Sequence, residues 1–150
     1  MSTGPDDRRV VGIVEWVTPG LSLGPQGSYA PGAPADPMAQ AVLEAPDTVV
    51  AGTPFDVVVR TYGADGCWRE AGAETAATGL SVAITPHDRH EAGAGVMCTM
   101  AVVRLPRTLR VSFPQRGQGV IRVTGRKVLF SNGSVANQGS VTVEKQVVVR

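Results

Sequence analysis

The chain has 150 residues, 43% of them hydrophobic and 5% aromatic, with a formal net charge of +1. One domain of that length buries about two-thirds of the surface its unfolded form exposes, which excludes a mini-protein dependent on staples, and the apolar fraction excludes a wholly disordered chain. The 24 Val, 12 Thr and 3 Ile favour strands, and 18 Gly with 11 Pro leave little room for a long helix.

Met1 to Asp7 has neither a basic start nor an apolar stretch, so it is not a signal peptide. A short polar tether of this kind also follows the lipidated Cys of an exported lipoprotein, which gives the expectation that Met1 replaces such a Cys, a membrane tether without a transmembrane segment. Arg9 to Val17 predicts a first strand, with Val10, Val14 and Trp16 on one face and Val11, Ile13 and Val17 on the other. Thr18 to Gln40 holds five prolines and four glycines, and is expected to be a linker or surface loop. As a binding loop it would use Leu21, Leu23, Tyr29 and Met38.

From Ala41 strand signals recur at short intervals: Ala41–Ala45, Thr48–Ala51, Phe55–Tyr62, Leu80–Thr85, Val96–Leu105, Leu109–Phe113, Gln118–Phe130 and Ser140–Arg150. Pro86, Pro106 and Pro114 are expected to stop their strands. Asn132-Gly133 reads as a tight turn. The expectation is a single all-β domain over residues 1–150, an antiparallel Greek-key β-sandwich of about eight or nine strands, with residues 18–40 looped out.

The near-neutral total hides an asymmetry. Residues 1–100 carry 5 Lys/Arg against 12 Asp/Glu, whereas residues 101–150 carry 9 Lys/Arg against Glu144 alone. Basic C-terminal strands beside acidic N-terminal ones would cancel most of this field. Left unpaired, Arg104, Arg107, Arg110, Arg122, Arg126 and Lys127 would form an anion-binding face for an envelope polymer. Nucleic acid is not expected, because stacking aromatics are scarce and no basic helix is in sight.

Cys67 and Cys98 lie 31 positions apart, outside any C-x-x-C pair, and read as a structural disulfide, hence an exported chain in the periplasm, at the cell surface or outside the cell. The two histidines, His87 and His90, form an H-x-x-H pair in a segment read as a loop, with Met97 and Met100 downstream. That mixture could hold copper or zinc, although the spacing lacks the H-E-x-x-H pattern of a zinc hydrolase. No G-x-S-x-G elbow is present, and Glu70, Glu74, Asp88 and Glu91 are assigned to turns or loops, so no enzyme and no cofactor is expected.

Two segments carry a resemblance. Ala45-Pro46-Asp47-Thr48-Val49-Val50-Ala51-Gly52-Thr53-Pro54-Phe55-Asp56-Val57 looks like the opening strands, and Gln118-Gly119-Val120-Ile121-Arg122-Val123-Thr124-Gly125 like the penultimate strand, of bacterial immunoglobulin-like domains. Residues 41–150 therefore resemble such a module, of the kind found in exported proteins and lipoproteins. The chain departs from antibody-type domains in that Trp68 adjoins Cys67, and Val96 stands two residues before Cys98 where a Tyr would be. The resemblance implies a non-catalytic binding or structural module of the cell envelope, its partner an unidentified protein or polymer. The alternatives are a metal-binding envelope protein using the His87/His90 loop and a loop-presenting domain of protease-inhibitor type.

Overall fold

The computed structural model describes residues 9–19, 21–23, 40–93 and 95–150. Met1 and the binding-loop candidates Tyr29 and Met38 lie outside them. Among the described residues the chain is all-β, with no helix, and hence none long and apolar enough to cross a membrane.

Eleven strands are formed: β1 (Val10–Val11), β2 (Ile13–Thr18), β3 (Leu21–Leu23), β4 (Leu43–Glu44), β5 (Thr48–Val49), β6 (Phe55–Gly63), β7 (Trp68–Thr78), β8 (Ser81–His90), β9 (Val103–Val111), β10 (Gly117–Ser131) and β11 (Ser134–Val149). One series of ladders runs β7–β8–β10–β11–β5, and a second joins β4, β6 and β9. β2 bridges them, pairing with β10 and, at Ile13↔Tyr62, with β6. The wholly antiparallel expectation is corrected to a mixed sheet, since β8–β10, β2–β10 and β5–β11 are parallel. Alternation of apolar residues identifies strands but carries no information on their relative direction.

The long C-terminal hairpin forms as its sequence demands. Asn132 and Gly133 both take positive φ, 54° and 75°, the conformation of a two-residue hairpin turn whose twist matches the flanking strands. The first predicted strand instead breaks in two at Gly12, with β1 pairing with β8 and β2 with β10. Inside the presumed 18–40 loop, β3 folds back on β2.

Pro86 and Pro106 do not end their strands. Pro106 lies within β9, opposite Arg60, and β9 is hydrogen-bonded only to β6 among the described residues, so one side of the strand tolerates a missing N–H. Pro86 keeps its carbonyl in use, accepting from the Gly12 N–H at 2.9 Å. Residues 96–102, expected to be strand, precede β9 instead.

Two apolar clusters hold the ladders together. Val57 and Val59 of β6 and Val111 of β9 meet Val82 and Ile84 of β8, Ile121 and Val123 of β10, and Val143 and Val147 of β11, with Phe113 fully buried among them. A smaller cluster of Ile13, Trp16, Tyr62 and Val128 closes one end, where Trp16 stacks on Phe130 at 5.4 Å. Burying side chains of this size stabilises by about 1.5–3 kcal/mol each.

Candidate functional site

The chemistry-bearing residues gather where β6 turns into β7. In the turn Ala64-Asp65-Gly66, the Asp65 carboxylate accepts from the Cys67 N–H at 2.8 Å, a local bond that favours Asp in such turns. Cys67 and Cys98 stand at disulfide distance, 2.03 Å between sulfurs. β8 ends at His90, opposite Trp68 in the register, and the two rings lie 5.1 Å apart. His90 Nε2 lies 3.1 and 3.0 Å from the two Asp65 oxygens and 4.0 Å from Cys98 Sγ. One ligand atom each from Asp65, Cys67, His90 and Cys98 therefore falls within 4.8 Å of the others.

This is not the set His87, His90, Met97 and Met100. The segment holding both histidines is strand, and residues three apart on a strand project from opposite faces. His90 turns to Asp65 and Cys98, whereas His87 sits opposite Val11 of β1, with its carbonyl accepting from Arg107 Nη1 at 2.8 Å. Met97 and Met100 are 94% and 96% exposed. Asp65, which the sequence marks only as a turn residue, is the member of this cluster that spacing did not reveal; its signal is the Gly-Ala-Asp-Gly turn directly before Cys67.

A second polar cluster is buried. Arg107 Nη2 donates to Asp88 Oδ1 at 2.9 Å, to Thr61 Oγ1 at 2.5 Å and to the Leu105 carbonyl at 2.8 Å, and Thr61 Oγ1 donates to Asp88 Oδ2 at 2.7 Å. Asp88 belongs to β8, not to a loop, because the inward series Val82, Ile84, Pro86 continues through it. Burial pushes its carboxyl above the usual range, against the pull of Arg107. Gly12 makes room, since a Cβ there would lie 2.9 Å from Asp88 Oδ2. Glu70 and Glu74 likewise fall on a strand, β7, where both are exposed.

The six residues expected on a basic face have acceptors within the protein. Arg107 is buried. Arg104 lies over the Tyr62 ring at 3.9 Å and donates to the Gln40 and Arg60 carbonyls; burial draws its pKa down to about 10. Arg126 donates to the Val11 carbonyl at 2.5 Å, and burial lowers its pKa too. Arg110 pairs with Asp56, Arg122 with Glu144 and Lys127 with Glu15. With Lys145–Asp47, most of these ion pairs join the basic C-terminal strands to acidic residues earlier in the chain.

Between β7 and β9 lies a cleft of about 350 Å³, lined by Pro54, Thr75, Ala77, Val82, Arg110 and Val111 among others. No family model, no curated protein and no solved structure matches the chain.

Proposed function

We propose that the chain is a non-catalytic binding or structural module of an exported, envelope-associated protein, on an immunoglobulin-like frame, and that it takes an extended segment of a partner protein along β7. The observation that carries this reading is the state of that strand. Among the described residues β8 is the one strand that pairs with β7; side chains already engage the Trp68 carbonyl and the Gly72 N–H and carbonyl, and beyond them, over residues 73–78, the side of β7 away from β8 pairs with no strand and offers backbone donors and acceptors to another. The neighbouring cleft offers space for the side chains such a segment would turn inward.

Export is supported by the Cys67–Cys98 pair, since disulfides persist in oxidising compartments. The immunoglobulin-like frame is supported by the antiparallel β4–β6–β9 set and by β5 running parallel beside β11; the parallel β8–β10 ladder departs from it. An anionic polymer is the weaker partner, because the cations it would need already hold acceptors.

A photo-crosslinking residue at Ala76 of β7, in the exported chain and in the cell that makes it, tests the reading. Val135, on the exposed end of the β10–β11 hairpin, serves as control. A discrete adduct from position 76 and none from 135 is expected. Equal labelling from both, or none from position 76, overturns it.

A further inference from the structure

We propose that Asp65, Cys67, His90 and Cys98 form a redox-gated site for one thiophilic divalent cation, Zn²⁺ in the first place, which comes into being when the Cys67–Cys98 disulfide is reduced. This site is independent of the β7 edge. A tetrahedral zinc centre with bonds of about 2.0–2.3 Å sets its ligand atoms roughly 3.3–3.8 Å apart. His90 Nε2 stands at 3.0 Å from Asp65 Oδ2 and 4.0 Å from Cys98 Sγ, on either side of that range. Shifts of a few tenths of an ångström at the ring, and separation of the two sulfurs, complete the set.

The ligands stay gathered without the disulfide. The Gly66 N–H donates to the Thr99 carbonyl at 3.0 Å, and the Glu91 N–H to the Cys67 carbonyl at 3.0 Å. These bonds tie the β6–β7 turn both to the segment carrying Cys98 and to the end of β8 beside His90. Cys67 is buried, whereas Cys98 lies in a segment whose Val96, Met97 and Met100 are 53%, 94% and 96% exposed, so a reductant approaches from the Cys98 side.

A dithiol reductant attacks Cys98 Sγ through one thiolate. The S–S bond breaks with its electron pair passing to Cys67 Sγ, which takes a proton. The reductant's second thiolate then attacks the mixed disulfide, closing the reductant's own disulfide and releasing Cys98, which is protonated in turn. Two electrons and two protons pass from the dithiol to the protein. Binding of the cation displaces the two thiol protons to water, leaving two thiolates, one carboxylate and a neutral imidazole around it. Two thiolates beside a carboxylate repel one another, and the cation relieves that repulsion.

The test titrates the purified chain with Co²⁺, air-oxidised and after anaerobic reduction by a phosphine. The reduced chain is expected to take one Co²⁺ with thiolate-to-metal charge-transfer and tetrahedral d–d absorption, to release it to Zn²⁺, and to melt at a higher temperature with metal bound. The oxidised chain is expected to take none. His90→Ala and Asp65→Ala are expected to weaken binding by about tenfold or more, while their oxidised forms keep the wild-type circular dichroism. The proposal is overturned by a reduced chain without thiolate charge transfer, by affinities unmoved in both variants, by equal binding to the oxidised chain, or by a reduced chain that neither stays folded nor refolds with metal.

Discussion

Arg107 of β9 and Asp88 of β8 meet at 2.9 Å across the interior, with side chains only 3% and 2% exposed. β8 and β9 share no backbone ladder, so the pair joins the two series of ladders through side chains. Removing one partner of a buried ion pair leaves an uncompensated charge and costs about 3–5 kcal/mol. Arg107→Ala is expected to fall in that range in urea unfolding, and Arg107→Met with Asp88→Leu to recover most of the loss. Losses that simply add, the double variant falling by the sum of the two single ones, would show that the two residues act independently.

Arg110, three positions along the same strand, is expected to behave differently. Its bond to Asp56 joins side chains 67% and 60% exposed, and exposed pairs contribute about 0.2–1 kcal/mol. Arg110→Ala should shift the urea midpoint little, whereas Arg107→Ala shifts it severely. Equal losses would contradict the burial argument.

The pH dependence of the Asp88 network carries a definite sign. Because burial raises its pKa above the ordinary 3.8, the folded chain binds a proton at Asp88 more readily than the unfolded chain does. Stability from this site therefore declines as pH rises from 3.8 to the folded pKa, and is regained on acidification. Wild type should gain on Asp88→Asn as pH falls through that window, measured by urea unfolding at each pH. A relative loss on acidification would mean that attraction to Arg107 outweighs burial.

Cys67→Ala with Cys98→Ala removes a covalent link spanning 31 positions. In the chain-entropy account a loop of that size is worth about 3–4 kcal/mol. Calorimetry of the double variant should show a loss of that order with the fold retained.

Gly12 is the point where the N-terminal chain leaves β8 for β10. A Cβ there would lie 2.5 Å from Thr61 Cγ2 and 2.9 Å from Asp88 Oδ2. Gly12→Ala is expected to cost about 1–3 kcal/mol in urea unfolding, as overpacking of a filled interior does. Gly133→Ala, at a turn whose added Cβ meets nothing within 4 Å, strains only the backbone and serves as the comparison.

What the sequence determined by itself is local. Alternation of Val with polar residues reads directly as strands in β6, β8, β10 and β11, and Asn132-Gly133 as a hairpin turn, because side-chain period and turn dihedrals are properties of neighbouring residues. β7 was not legible: its Ala- and Glu-rich stretch has little strand propensity and is held by pairing with β8. The Cys67–Cys98 pairing was legible because the chain has no other cysteines.

Only the tertiary structure decided strand direction, burial and company. Parallel ladders at β8–β10, β2–β10 and β5–β11 depend on how distant segments pack, which no local pattern encodes. The same packing takes Arg107 out of a basic face and sets it on Asp88, parts His87 from His90 by the two-residue period of a strand, and brings Asp65 and His90 to the disulfide. Composition recorded an acidic portion and a basic portion; the fold lays strands of one against the other, and the opposite charges pair because burial and proximity make isolated charges costly.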